Sequence, residues 1–543
     1  MACLDAPPYD IVLFVLDDMR ADQLPALEQT LARLDPTSVA FDRAYVTTPM
    51  CCPERASFLS GGWLPQSTGV ITNTAPLGGA TAFYDGDTLA TRLQAQGYTT
   101  ALVGKYLNQY IKLGDYVPPG WTFWGATYGA DGWEDFNTMG GSSTPEAPAV
   151  GELTARSGYL TDWEGEEALR IWQQSAEAPL FLYLSFDAPH DPHTPAPQDL
   201  SAFPDFLFRG GAYEEEDLSD KPEWLQRIPK MSLAEEAARD RHNRQRQQTL
   251  LAADRAMAAL IDAVMASPRA ERTVFVLTSD NGLMWREHRL TEKGVAYEEA
   301  VRVPLLISAP ELASGHRAGL VAMNLDLAAT VQALAGLDAY GEGLSLLPSL
   351  CQGQEPPRDA LLLQAWNAPG GSWAAVVTAT DKLILGENGG VELYDLVNDP
   401  YEMSSLHADE DQADRLEELR DRLAEGRGLA ITVTTLPEAR VGQPYAEALS
   451  AEGGEAPLVW SLIGDPPPGL FLDSAGTLRG TPTAPGRYTL EVRVNDSGRS
   501  PVYGGPQRFR TELILVVREG GCGAGRASIL GLLLGLGRRR RIS

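Results

Sequence analysis

Cysteine is scarce in this chain, and the scarcity excludes two common architectures. Five cysteines (Cys3, Cys51, Cys52, Cys351 and Cys522) are spread over 543 residues, which is not the dense spacing of a disulfide framework. Cys51 and Cys52 are adjacent, and adjacent cysteines bridge poorly because disulfide geometry is specific. No second cysteine cluster exists to complete a zinc site with them. Positive charge is also in deficit: Lys and Arg total 44 against 73 Asp and Glu, a formal net charge of −29. That balance argues against nucleic-acid partners and favours solubility. An anionic substrate would have to be drawn by local cations, not by the global field. The apolar run near the C-terminus, residues 529–537, is too short to cross a hydrocarbon core, which needs about 20 residues in a helix. No secretory signal is seen at Met1, and the first strand candidate begins almost at once.

What is present is a hydrophobic content of 44% over a length that calls for two or three domains. Tyr9-Asp10-Ile11-Val12-Leu13-Phe14-Val15-Leu16 is a near-continuous apolar run, the pattern of a parallel strand buried on both faces, and it ends in Asp17-Asp18. Far downstream, Thr273-Val274-Phe275-Val276-Leu277-Thr278 has the same character and ends in Ser279-Asp280-Asn281-Gly282. In an open α/β sheet, function gathers at the carboxyl ends of the strands. Three carboxylates and an amide delivered to that edge suit Ca²⁺ or Mg²⁺, not zinc. Either acidic pair alone reads equally well as a helix cap or a turn.

The most informative stretch is Cys51-Cys52-Pro53-Glu54-Arg55, followed by Ala56-Ser57-Phe58-Leu59. Pro53 suits a first helical position and the following residues continue a helix. Cys51 is thereby placed at a helix N-terminus, where free N–H groups favour an anion. Arg55 offers a planar, permanently charged fork for oxyanion oxygens.

The stretch resembles the Cys-x-Pro-x-Arg signature of the type I sulfatases, and the likeness extends over roughly residues 9–405. The resemblance implies an alkaline-phosphatase-like doubly wound α/β fold. It implies that Cys51 is oxidised by a formylglycine-generating enzyme to formylglycine, the nucleophile. Asp17, Asp18, Asp280 and Asn281 correspond to the family's calcium ligands, with the oxidised Cys51 as a further ligand. Lys105, in Val103-Gly104-Lys105-Tyr106-Leu107-Asn108, and Lys293, in Leu290-Thr291-Glu292-Lys293-Gly294, correspond to the two sulfate-binding lysines. His190, in Ala188-Pro189-His190-Asp191-Pro192-His193, corresponds to the histidine on the leaving oxygen. Many sulfatases carry a histidine two residues after the first lysine; here Leu107 stands there, and Asn108 follows, as in the glucosamine-6-sulfatase-like branch. Asn108 and His193 are the remaining substrate-binding candidates. In the family's chemistry one hydroxyl of the hydrated aldehyde attacks sulfur, and the other expels sulfate.

Residues 1–355 form the expected catalytic domain and 356–428 a smaller antiparallel α+β subdomain, with a hairpin around Glu387-Asn388-Gly389-Gly390 and a charged helix near 409–425. Residues 118–150 and 195–230 are expected to be long loops over the site. Residues 429–518 change to clean alternation, as in Ile431-Thr432-Val433-Thr434 and Tyr488-Thr489-Leu490-Glu491-Val492-Arg493-Val494, with Pro- and Gly-rich turns between. This predicts an Ig-like β-sandwich, and the segment resembles bacterial Ig-like repeats of surface proteins. Residues 519–543, with Cys522, the apolar run and four terminal-region arginines, resemble a myxosortase-type sorting tail. That implies a sorting protease acting near Cys522, export, and residence at the cell surface or outer membrane; Met1-Ala2-Cys3 then reads as a lipoprotein remnant after a late start. The expected function is hydrolysis of sulfate monoesters on sulfated carbohydrate. Phosphonate or phosphate monoester hydrolysis and a non-catalytic surface adhesin are the alternatives.

Overall fold

The computed structural model describes residues 8–519 apart from 130–132, 176–177, 311, 427–429, 434, 454–455, 464 and 497–507. The expected sorting tail with Cys522, and Cys3, lie outside the described residues.

An eleven-stranded sheet organises the catalytic region. In chain order its strands are β1 (Asp10–Leu16), β2 (Ser38–Tyr45), β3 (Thr99–Gly104), β4 (Phe123–Thr127), β5 (Asp135–Gly141), β6 (Glu152–Ser157), β7 (Leu180–Ser185), β8 (Thr273–Ser279), β9 (Arg302–Val303), β10 (Leu305–Ser308) and β11 (Gly315–Ala322). In space the order is β9-β2-β10-β8-β1-β7-β3-β4-β5-β6, with β11 also on β2. The run β8-β1-β7-β3-β4 is parallel. Its flanks are antiparallel, apart from β11, which lies parallel to β2. Every residue of β1, β7 and β8 is buried, as their unbroken apolar runs require of strands covered on both faces.

The covering helices are α1 (Cys51–Leu59), α2 (Leu160–Gln174), α3 (Leu233–Met265) and α4 (Met323–Leu334). Alternate side chains of β1 divide between two cores. Ile11, Leu13 and Val15 pack with Ala56 and Phe58 of α1 and Leu327 and Val331 of α4. Val12, Phe14 and Leu16 pack with Ile171 of α2 and Leu250, Met257 and Ile261 of α3. Helix α3 is opened by Ser232, whose side chain caps the Glu235 N–H while Glu235 reaches back.

Residues 118–150 depart from the expected loop. They contribute β4 and β5, which extend the sheet; Phe136 and Thr138 are buried while Asp135 and Asn137 are exposed, a short period-two pattern masked by the surrounding Gly and Pro. Residues 195–230 hold only two short helical turns.

The C-terminal subdomain is a four-stranded antiparallel sheet of β12 (Ala360–Ala365), β13 (Trp373–Thr378), β14 (Asp381–Gly386) and β15 (Val391–Asp395), with α5 (Ala413–Gly426). It grips the segment after Lys293. Trp373 Nε1 donates to Gly294 O at 2.7 Å. The buried Lys382 ammonium donates to Ala296 O at 2.9 Å and pairs with Glu298 and Glu402, each at 2.8 Å.

Among the described residues a second compact unit comprises 433–449, 460–492 and 512–519. Among its sheets, the strand Tyr445–Ala448 pairs with Thr477–Gly480, which pairs with Leu470–Leu472. Leu478, Leu490, Val492, Leu513 and Leu515 are buried, in keeping with the alternation read for a sandwich. Of the expected strand at 431–434 the described residues keep Ala430–Ile431, and Thr432 donates to Ser450 O at 2.9 Å.

Candidate active site

Four adjacent parallel strands end together. Leu16 of β1 and Ser279 of β8 stand in register, so Asp17-Asp18 and Asp280-Asn281 leave the sheet side by side. On the other flank β7 ends at Ser185 and β3 at Gly104, also in register. Gly104 has a φ of +94°, and a Cβ there would lie 2.0 Å from Ser185 O; only glycine allows the turn that aims Lys105 at the edge. Asp18 itself is held at a φ of 69°, an uncommon conformation for a residue with a Cβ and one that concentrates at functional sites.

Helix α1 brings the cysteine. It begins at Cys51, after an extended Met50. Pro53 therefore sits at the third helical position, not the first; the first N–H groups of a helix lack intrahelical acceptors, so proline is tolerated there too. Cys51 is fully buried. Its thiol donates to Asp17 Oδ1 at 3.5 Å and receives the Lys293 ammonium at 2.8 Å. Arg55, also fully buried, donates from Nε to Asp280 Oδ2 at 2.9 Å and from Nη1 to Lys105 O at 3.2 Å and to Ser185 Oγ. Its Nη2 is buried without a hydrogen-bond partner, a donor left over for a bound oxyanion.

Lys105 pairs with Asp17, and Lys293 with Asp18. Burial pushes the Asp17 and Asp18 carboxyls up, but the neighbouring cations outweigh it, and both are held below the usual carboxylate range. Burial, reinforced by Asp17, pushes the Cys51 thiol well above its ordinary value despite the two lysines, so the unmodified side chain is a neutral thiol. Three carboxylates thus face three cations. A divalent ion added to that balanced set leaves a net positive site, which suits a sulfate ester's single negative charge.

The donor set fits such an ion. Ligand atoms of Asp17, Asp18, Cys51 and Asp280 lie within 4.8 Å of one another, all buried. Asn281 donates its Nδ2 to Asp18 Oδ1 at 2.6 Å. Its Oδ1 is buried without a partner, an orphaned acceptor beside the carboxylates. Hard oxygen donors of this kind match Ca²⁺ or Mg²⁺.

His190 lies at the open side of the cluster, with its Nε2 3.8 Å from Asp18 Oδ2. Its Nδ1 donates to Asp191 O at 2.8 Å, which turns Nε2 toward the site. His193 is placed differently. It is buried, its Nδ1 donates to Pro189 O at 2.9 Å, and its Nε2 accepts from Arg246 Nε at 3.0 Å. Burial and Arg246 push it down to about 3, so it stays neutral. Asn108 turns its backbone toward Ala80 and Cys52, with Ala80 N–H donating to its carbonyl at 2.8 Å.

Residues that the motifs do not include also shape the site. Ser185 orients Arg55; it stands at a strand's carboxyl end, the signal by which it could have been found. Asn73 Oδ1 accepts from the Cys52 N–H at 2.9 Å and anchors the start of α1. Arg246 reaches the site from α3, where Arg239, His242, Asn243 and Arg246 follow the i, i+3, i+4, i+7 spacing of one helical face.

Residues 9–337 match the Sulfatase family model, more than half of the chain. The chain belongs to the sulfatase family. Within this sulfatase-family chain, residues 286–428 match the C-terminal model of N-sulphoglucosamine sulphohydrolase and residues 429–507 an Ig domain model. Human N-acetylglucosamine-6-sulfatase is 29% identical over 360 residues, covering 63% of this chain and 64% of that protein. The extracellular sulfatase SULF-1 homolog of Drosophila melanogaster is 29% identical over 366 residues, covering 64% of this chain and 32% of that protein. The chain thus spans from about a third to under two-thirds of these relatives' lengths. Among solved structures, BT4656 in complex with its substrate D-glucosamine-2-N,6-O-disulfate superposes with a TM-score of 0.66 at 21% identity, over 77% of this chain and 97% of that one. The phosphonate monoester hydrolase of Agrobacterium radiobacter gives 0.60 at 21% identity, over 77% and 95%. These structures establish the alkaline-phosphatase-like α/β fold expected from the sequence.

Proposed function

We propose that this chain is a sulfuric ester hydrolase that cleaves sulfate monoesters on sulfated carbohydrate, through formylglycine at Cys51 and a bound calcium ion. One observation carries the reading: a buried cysteine at a helix start converges with three carboxylates, an arginine and two lysines on one sheet edge. Asp17, Asp18, Asp280 and Asn281, with the side chain at position 51, would hold the ion, which lends positive charge to the transferred sulfuryl group. Oxidised to the aldehyde, position 51 supplies a hydrate hydroxyl as nucleophile.

The chain's own groups have distinct duties in this proposal. Arg55 is fixed by Asp280 and Ser185 and offers its spare Nη2 to a sulfate oxygen. Lys105 and Lys293 neutralise the other equatorial oxygens, so that charge developing at sulfur meets preorganised donors. His190 Nε2 faces the open side and protonates the leaving oxygen. His193 shapes the loop that carries His190, and Asn108 lines the wall beside α1.

The names of relatives support hexosamine sulfates as the substrate class and an extracellular setting. Export, maturation by a formylglycine-generating enzyme, and sorting near Cys522 by a protease complete the proposal, over domains 1–355, 356–428, 429–518 and 519–543. Among the described residues no helix is long and apolar enough to cross a membrane.

The test is turnover of an aryl sulfate against an aryl phosphonate by protein matured in its own host, with mass analysis of the peptide carrying Cys51. Preference for the sulfate together with the aldehyde mass is expected. Preference for the phosphonate would favour the second reading, which the likeness to a phosphonate monoester hydrolase keeps open. An unmodified thiol in active protein would overturn the mechanism.

A further inference from the structure

We propose that Arg239, His242 and Arg246, on one face of α3, form a second anion subsite beside the sulfate pocket, selecting esters that carry another negative group. The inference rests on the sulfate-ester reading above and adds the charge pattern of the preferred substrate.

Arg246 is the central observation. Its side chain is 6% exposed, yet among the described residues no carboxylate lies within ion-pairing distance of it. Two of its five N–H groups are used, on His193 Nε2 at 3.0 Å and Asn243 Oδ1 at 3.2 Å. Both acceptors are neutral, and the only other partner among the described residues is the face of the Trp285 ring, 5.8 Å from the guanidinium carbon, so the buried charge has no anionic counter-group, which is costly unless a ligand supplies one. Burial, aided by Arg239, pushes Arg246 down to about 10. Arg239 is likewise held low by burial and by Arg286. His242 completes the face, with its ring centroid 6.3 Å from that of His193.

The negative groups nearby do not neutralise this face. Asp191 lies 3.3 Å from His193 Nε2, but its side chain is 77% exposed and solvated. Glu292, next to Lys293, is exposed too. Both act on Arg239 and Arg246 only at a distance. The subsite is close to the chemistry. The His193 N–H donates to His190 O at 3.3 Å, and Arg246 is near enough to Asp18 for the two charges to interact. A sugar whose scissile sulfate sits against Arg55, Lys105 and Lys293 would therefore present a neighbouring substituent to α3. A second sulfate or a uronate carboxylate both satisfy the chemistry, since arginine binds either in bidentate fashion.

Three probes decide it: a monosulfated hexosamine, the same sugar with a second sulfate, and the monosulfated sugar joined to a uronic acid. For the wild-type chain, kcat/KM should favour one of the doubly charged probes, and which one identifies the group recognised. Arg246→Gln and Arg239→Gln should each lower that preference about tenfold, the scale of one charge-assisted hydrogen bond, and Arg239→Lys should restore most of it. Arg239 is half-exposed and makes no hydrogen bond that the fold needs, so its variant remains informative if Arg246→Gln does not fold. A preference absent from the wild type, or unchanged in Arg239→Gln, would overturn the subsite while leaving sulfate hydrolysis intact. If no probe is hydrolysed, the function itself fails, and calorimetric affinities for the same three sugars then decide the subsite alone: a preference lost in Arg239→Gln upholds it, and equal affinities refute it.

Discussion

The reactive position is a single side chain whose surroundings make it inert until it is changed. Cys51 is buried beside Asp17, which keeps its proton on sulfur. Cys51→Ser replaces the thiol with a hydroxyl that can accept sulfuryl transfer but has no geminal partner to expel it. We expect turnover to fall by at least about 10³-fold, the scale of losing a nucleophile, with a sulfated protein accumulating; intact-mass measurement after incubation with substrate checks this. Arg55→Lys keeps the charge but loses the fork that spans Asp280, Lys105 O and Ser185. It should cost about 10²-fold or more in kcat, with little effect on melting beyond the lost hydrogen bonds. A titration at this scale bears on stability instead. Burial and the nearby Glu287 push Glu299 up to about 8, and its Oε2 has no hydrogen-bond partner. The unfolded chain releases this proton near the ordinary carboxylate value, while the folded chain keeps it. The contribution of Glu299 to stability is therefore full below about pH 4.5 and is lost as pH rises toward about 8. Glu299→Gln should flatten the fall in melting temperature across that window, as read by calorimetry.

At the scale of elements, the site depends on a subdomain that holds none of the site residues. The turn from Lys293 to Glu298 is fastened by Trp373 at Gly294, by Lys382 at Ala296 and Glu298, and by Glu402, which accepts from the Glu298 N–H and pairs with Lys382. Lys382→Met would leave the buried Glu402 carboxylate without its cation and Glu298 with Arg302 alone. Breaking a buried pair in this way costs about 3–5 kcal/mol. The same variant should weaken substrate binding, because the fastened turn carries Lys293; a melting curve together with KM on a small aryl sulfate tests both effects.

At the scale of the whole molecule, the net charge of −29 sets the field that a polyanionic substrate must approach. Attraction comes from the site's own cations and from the ion proposed to sit among Asp17, Asp18 and Asp280. Chelation should abolish turnover and lower the melting temperature. An ion held at 100 times its dissociation constant contributes about 2.7 kcal/mol, and readdition of Ca²⁺ should restore both. Salt adds a contrary signature: screening should lessen long-range repulsion by the acidic surface, while the buried ion pairs around Cys51 respond little.

Much of the fold and of the site is legible in the order of the amino acids. The two apolar runs that end in Asp17-Asp18 and Asp280-Asn281 sit on neighbouring parallel strands because continuous hydrophobicity leaves a strand no place but the middle of a covered sheet. The stretch from Cys51 to Arg55 starts a helix because its residues favour one and its proline falls where no N–H is needed. These are local rules, and sequence by itself determined their outcome. What it could not determine were meetings between distant segments. Ser185 under Arg55, Lys382 under Glu298, His193 drawn away onto Arg246, and the strands hidden within residues 118–150 all arise from packing across the fold. Only tertiary structure decides such contacts, because a buried charge takes whichever counter-group the closing of the core brings within reach, and no local pattern encodes that distance.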